Sequence, residues 1–99
     1  MNLRIQAAVA RHESLTLKVN KGERHRITKR GLRGSLWITP LVGRFKLLLN
    51  GDVGPELHAS VAARHGPKAG QDREWSYWYI DRVDDVEALI QTLGKRGSM

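Results

Sequence analysis

The 99-residue chain contains no cysteine. Disulfides, thiolate nucleophiles and cysteine-bound zinc are excluded together, and the composition suits a reducing compartment such as the cytoplasm. No apolar run approaches the ~18–20 residues that a membrane-spanning helix needs, and the N-terminus lacks the apolar core of a secretory signal. Proline occurs only three times, so long regular segments are permitted. Acids are nearly missing from the first half: residues 1–50 hold eleven Lys and Arg against Glu13 and Glu23 alone, a balance of +9. Residues 51–99 hold six basic and eight acidic residues, a balance of −2, and the two halves sum to +7.

A chain of this length fits one domain spanning 1–99, and it is too short for a catalytic barrel or a full dinucleotide-binding domain. With 40% apolar residues it can build one modest core without staples. There is no Gly-Lys-Ser/Thr phosphate loop and no Gly-x-Ser-x-Gly elbow. A fold with one strongly basic half is expected to carry a positive face, which suits nucleic acid or an acidic protein.

The hydropathy pattern changes period along the chain. Residues 3–12 read as a helix capped by Asn2, with Ile5, Ala8, Val9 and His12 at helical spacing, although Leu3, Ile5, Ala7 and Val9 also alternate as a strand would. From Ser14 the period becomes two. Leu15, Leu17 and Val19 alternate with polar residues, Asn20-Lys21-Gly22-Glu23 supplies a turn with Gly22 free for positive φ, and His25 and Ile27 alternate with Arg24 and Arg26. Residues 29–34 form a basic, glycine-containing loop. A third strand carries Leu36, Trp37 and Ile38 and stops at Pro40, and a fourth carries Phe45, Leu47 and Leu49. Pro55 opens a helix that stops at Gly66-Pro67, 66–73 is a loop, and 75–80 is an aromatic strand. Asp84 and Glu87 read as a capping box for a last helix that ends at Gly94, with 95–99 fraying. The expected architecture is α+β: two layers, an antiparallel sheet of about five strands with helices on one face, in the order α-β-β-β-β-α-β-α.

The parts at 45–49, 55–64, 75–80 and 84–93 make a strand, a short helix, a Trp-led strand and an acid-capped terminal helix. In that pattern of elements the second half resembles the MmcQ/YjbR-like family. The resemblance implies a small mixed α/β fold and DNA binding through a double-wing arrangement of hairpins.

The densest constellation is the basic hairpin and loop. Lys21, Arg24, Arg26, Lys29, Arg30 and Arg33 fall close together, with Arg44 and Lys46 on the next strand; their guanidinium forks and ammonium groups suit backbone phosphates. The bland alternative is a solvated strand face on a basic protein. Trp37 lies opposite Leu36 and Ile38 and so joins the basic face, where it can stack on a base. The aromatics of 75–79 are either core or a stacking surface. His12, His25, His58 and His65 are too scattered for a metal site, and no cofactor is expected. Asp81, Asp84, Asp85 and Glu87 are better explained by a helix terminus than by a cation. The leading expectation is a non-catalytic domain that contacts phosphates of DNA or RNA through residues 21–46. Alternatives are a phage or mobile-element type module that docks on an acidic protein, and a small toxin-type ribonuclease with His25 as general base between two arginines. The edge strand at 14–19 also offers a homodimer contact.

Overall fold

The computed structural model describes residues 3–95; the Asn2 cap and the tail beyond Lys95 lie outside the described residues. The chain folds as helix α1 (Leu3–Ala10), strands β1 (Leu15–Asn20), β2 (Arg24–Lys29), β3 (Ser35–Leu41) and β4 (Arg44–Asn50), helix α2 (Pro55–His65), strands β5 (Gly70–Asp72) and β6 (Trp75–Ile80), and helix α3 (Val83–Lys95). All six strands form one antiparallel sheet in the order β1-β2-β3-β4-β6-β5. The expected α+β class and four-stranded meander are present, and the element order gains one strand.

That extra strand, β5, lies inside the segment that reads as a loop. Gly-Gln-Asp has no apolar alternation to detect, and these residue types are poor strand formers. It exists because β6 offers it a ladder, with Gly70 opposite Tyr77 and Asp72 opposite Trp75. The outer end of the Tyr77 ring lies over Gly70, and a side chain there would have to displace it. Strand β3 also runs through Pro40 instead of stopping before it. Its pairing with β2 ends where His25 stands opposite Ile38, so β3 has outrun β2 by Pro40 and proline's missing N–H costs no ladder bond there.

The strand periodicity decides the layers. Ile27, Leu36, Ile38, Leu47, Leu49, Trp78 and Ile80 point to one face and are buried. They meet Ile5, Ala8 and Val9 of α1, Leu57 and Val61 of α2, and Val86, Leu89, Ile90 and Leu93 of α3 in one continuous core. All three helices therefore cover the same face. Helix α2 ends as expected: Gly66, at φ +84°, donates its N–H to the Ala62 carbonyl at 2.8 Å.

Helix α3 departs from expectation at both ends. It starts at Val83, so Asp84 lies within the first turn, and Gly94 is helical rather than a terminator. Asp84 and Glu87 bind Arg4 of α1 instead of capping backbone, with Nη2 contacts of 2.5 and 2.6 Å. Arg4 thereby holds the Asp84 carboxyl below the usual carboxylate range, through its hydrogen bond first and its charge second. At the other end, Gly94 packs against the His12 ring closely enough to leave no space for a Cβ. Start meets start and end meets end, so α1 and α3 run parallel. Arg64 of α2 joins the same layer through Asp85 at 2.7 Å.

Gly34 is the tightest backbone contact near the sheet's end. A Cβ there would lie 2.5 Å from the Val53 backbone nitrogen and 2.8 Å from the Asp52 carbonyl carbon. Backbone cannot rotate away as a side chain can. Gly34→Ala is expected to destabilise the fold by about 1–3 kcal/mol, read from urea melts; an unchanged midpoint would show that the loop at 29–34 moves freely.

Candidate functional site

The face opposite the helices is built by the residues between the core positions. Register places Lys18, Arg26, Trp37, Leu48, Tyr77 and Gly70 in one row across the sheet. A neighbouring row runs through Thr39, Lys46 and Tyr79, with Arg24 at the matching position of β2. On the other side lie Ser35, Asn50, Trp75 and Asp72. Alternation makes this arrangement unavoidable: once Ile27, Ile38, Leu47 and Trp78 face the core, the residues beside them face outward.

Cations and rings interleave there. The Arg44 guanidinium lies 3.9 Å from the Tyr79 ring centroid, the Lys46 ammonium 4.4 Å from that of Tyr77, and the Arg26 guanidinium 5.6 Å from that of Trp37. Tyr77 and Tyr79 meet edge to face at 6.0 Å. Each cation–π contact is worth about 0.5–1 kcal/mol at an exposed site, enough to bias a flexible side chain toward the sheet without fixing it. Between the rings is a shallow depression of about 520 Å³. Its floor and apolar walls are Trp37, Leu48 and Trp75, and Arg24, Thr39, Lys46 and Asp72 give it polar rims.

The charges of the two faces differ in kind. On the helical side, arginines neutralise acids: Arg4 and Arg82 on Asp84, Arg4 on Glu87, and Arg64 on Asp85. Among the described residues no ion pair engages Lys18, Arg24, Arg26, Arg44 or Lys46. Five cations thus stand on the open face against one acid, Asp72. The described residues contain no cluster of His and acids able to hold a metal ion, and no helix long and apolar enough to cross a membrane.

The residues expected from sequence separate into three groups. Arg24, Arg26, Trp37, Arg44 and Lys46 share the open face. Lys21, Arg30 and Arg33 are exposed in connecting loops, Lys21 between β1 and β2 and the two arginines between β2 and β3. Lys29 turns the other way: its Nζ donates to the Leu93 carbonyl at 2.7 Å, placing a positive charge on the C-terminal turn of α3. It belongs to the helix layer. The aromatic segment divides in the same manner. Trp78 is core, its Nε1–H donating to the Gly66 carbonyl at 3.0 Å, whereas Trp75, Tyr77 and Tyr79 face outward. Clustering of basic residues misses Lys18, Leu48 and Trp75 on this face, although the alternation around Leu17, Leu47 and Trp78 carries the signal.

His25 is a correction of another sort. Its neighbours Arg24 and Arg26 point outward, so His25 itself points into the core, where it is 0% exposed and neither ring nitrogen has a hydrogen-bond partner among the described residues. It shares no surface with the arginines, and the geometry that a ribonuclease site built on His25 requires is absent. A buried polar group without partners costs about 1–3 kcal/mol. His25→Leu is expected to stabilise the fold by about 1 kcal/mol in chemical denaturation and to leave ligand binding on the open face unchanged; a loss of stability would mean that the ring has a partner in solution.

No protein-family model, curated protein or solved structure gives a significant match to this chain, so the likeness to the MmcQ/YjbR-like family rests on the pattern of elements alone.

Proposed function

We propose that this chain is a non-catalytic nucleic-acid-binding domain that holds a phosphate backbone on its open sheet face. One observation carries the reading: among the described residues, five cations without carboxylate partners are interleaved with aromatic rings on the one sheet face that no helix covers. Phosphates take their affinity from such cations, because each neutralised phosphate releases condensed counterions. Arg24, Arg26 and Arg44 supply forked donors, and Lys18 and Lys46 supply point charges. The rings favour nucleic acid over an acidic protein, since bases present π-faces to stack on and carboxylate side chains do not. Lys21, Arg30 and Arg33 extend the positive field beyond the sheet and contribute to steering more than to contact.

The test is an anisotropy titration with labelled DNA and RNA at several salt concentrations. The triple variant Arg26→Ala, Arg44→Ala, Lys46→Ala is expected to bind more weakly and to flatten the salt slope by about 0.7–0.9 per phosphate no longer neutralised. Arg30→Ala with Arg33→Ala is expected to lose less. Weak binding to every nucleic acid that vanishes near physiological salt, beside a tight stoichiometric protein partner, would overturn the reading in favour of an acidic protein ligand.

A further inference from the structure

We infer that the ligand of the open face is single-stranded, with bases seated on Trp37 and Trp75 beside the depression floored by Leu48; this rests on the nucleic-acid reading above and narrows it. Three features of the face carry it.

The first is width. Six strands make five intervals of ~4.8 Å, a platform about 24 Å across, whereas the major groove of B-DNA is only about 12 Å wide. A sheet face of this size cannot lie in the groove, so a duplex would meet it through phosphates alone. In a duplex, moreover, the base faces are already occupied by their neighbours. A platform of outward-facing rings is useful only to bases that are unstacked.

The second is the state of the rings. Tyr77 already covers Gly70 and carries the Lys46 ammonium, and Tyr79 carries the Arg44 guanidinium at 3.9 Å. Trp37 has its cation at the longer distance of 5.6 Å, and Trp75 has no cation or ring stacked on it among the described residues. The two indoles that line the depression are therefore the two least engaged by the protein itself. They stand two strands and two residues apart, a backbone separation of about 12 Å. That spacing puts separate bases on separate rings and does not clamp one base between both.

The third is the distribution of polar groups around the depression. Arg24 and Lys46 line it as cations, and Asp72, on edge strand β5, lines it as its one acid. Asp72 sits across the ladder from Trp75. A phosphate is repelled there, whereas the amino edge of a base is accepted. The backbone is thus directed away from β5, along Arg24 and Lys46, with one base reaching Trp37 and the other turned toward Trp75 and Asp72. A uniformly positive trough would give no such orientation.

The experiment compares a short mixed-sequence single strand, as DNA and as RNA, with a duplex of equal length, following both anisotropy and intrinsic tryptophan fluorescence. The wild type is expected to prefer the single strand and to show indole quenching on binding. Trp37→Ala and Trp75→Ala are each expected to weaken single-strand binding by about 5- to 150-fold with the salt slope unchanged and duplex binding unaffected. Trp37→Phe and Trp75→Phe keep a stacking face and are expected to recover much of the loss, which separates lost stacking from damage to the fold. Preference for DNA or for RNA identifies the sugar, and either supports the inference. Equal or tighter duplex binding, with no quenching and no effect of the indole variants, would overturn it while leaving the phosphate-binding reading in place. Failure to bind any of the three would overturn that reading, and this inference with it.

Discussion

Everything distinctive about this molecule depends on three helices packing on the same face of a six-stranded sheet. Burial of Ile27, Leu36, Ile38, Leu47, Leu49 and Ile80 against α1, α2 and α3 fixes the strand register, because a slip by one residue would expose all of them. The same register fixes what stands outside. Arg26, Trp37, Leu48 and Tyr77 form a row because the core residues beside them do. The open face is in this sense specified twice, once by its own side chains and once by the apolar residues that hold them in line.

Charge is sorted between the layers by the same geometry. Acids of α3 meet arginines from α1, α2 and the approach to α3 itself, so these acids are paired within the helix layer. On the open face, Arg26, Arg44 and Lys46 rest over aromatic rings. Exchanging a ring for a phosphate requires no ion pair to break, and a charge-assisted hydrogen bond to phosphate is stronger than the cation–π attraction it replaces. The whole molecule carries only +7, yet segregation concentrates positive charge where no helix shields it.

The meander is legible in the sequence because each of its strands alternates, and α2 is legible because Pro55 and Gly66 punctuate it. Strand β5 is not, since Gly70, Gln71 and Asp72 carry no pattern and acquire strand geometry only from β6. The ends of α3 mislead for a related reason. Asp84 and Glu87 have the spacing of a local capping box, but Arg4, eighty residues before Asp84 in the chain, reaches them first. Gly94 looks like a terminator, yet it is glycine because His12 packs against it. In each case a contact distant in sequence overrides a local signal. The candidate site shows the same limit. Basic residues stand out by their clustering, but clustering does not say which way they point, and the alternation of β2 separates Lys29 and His25 from Arg24 and Arg26. The aromatic strand is ambiguous because both of its faces are aromatic; only the helix layer, by taking in Trp78, determines which rings stay outside.

The three tryptophans are divided between the two faces of the sheet, so they report which face meets the ligand. In a nitrogen–proton NMR titration with a single-stranded oligonucleotide, the indole N–H signals of Trp37 and Trp75 are expected to shift together with the amides of β3, β4 and β6. The Trp78 indole, bonded to Gly66 within the helix-covered layer, is predicted to stay in place. Shifts confined to α1, α2, α3 or Trp78, with Trp37 and Trp75 unmoved, would put the binding surface on the helical side instead.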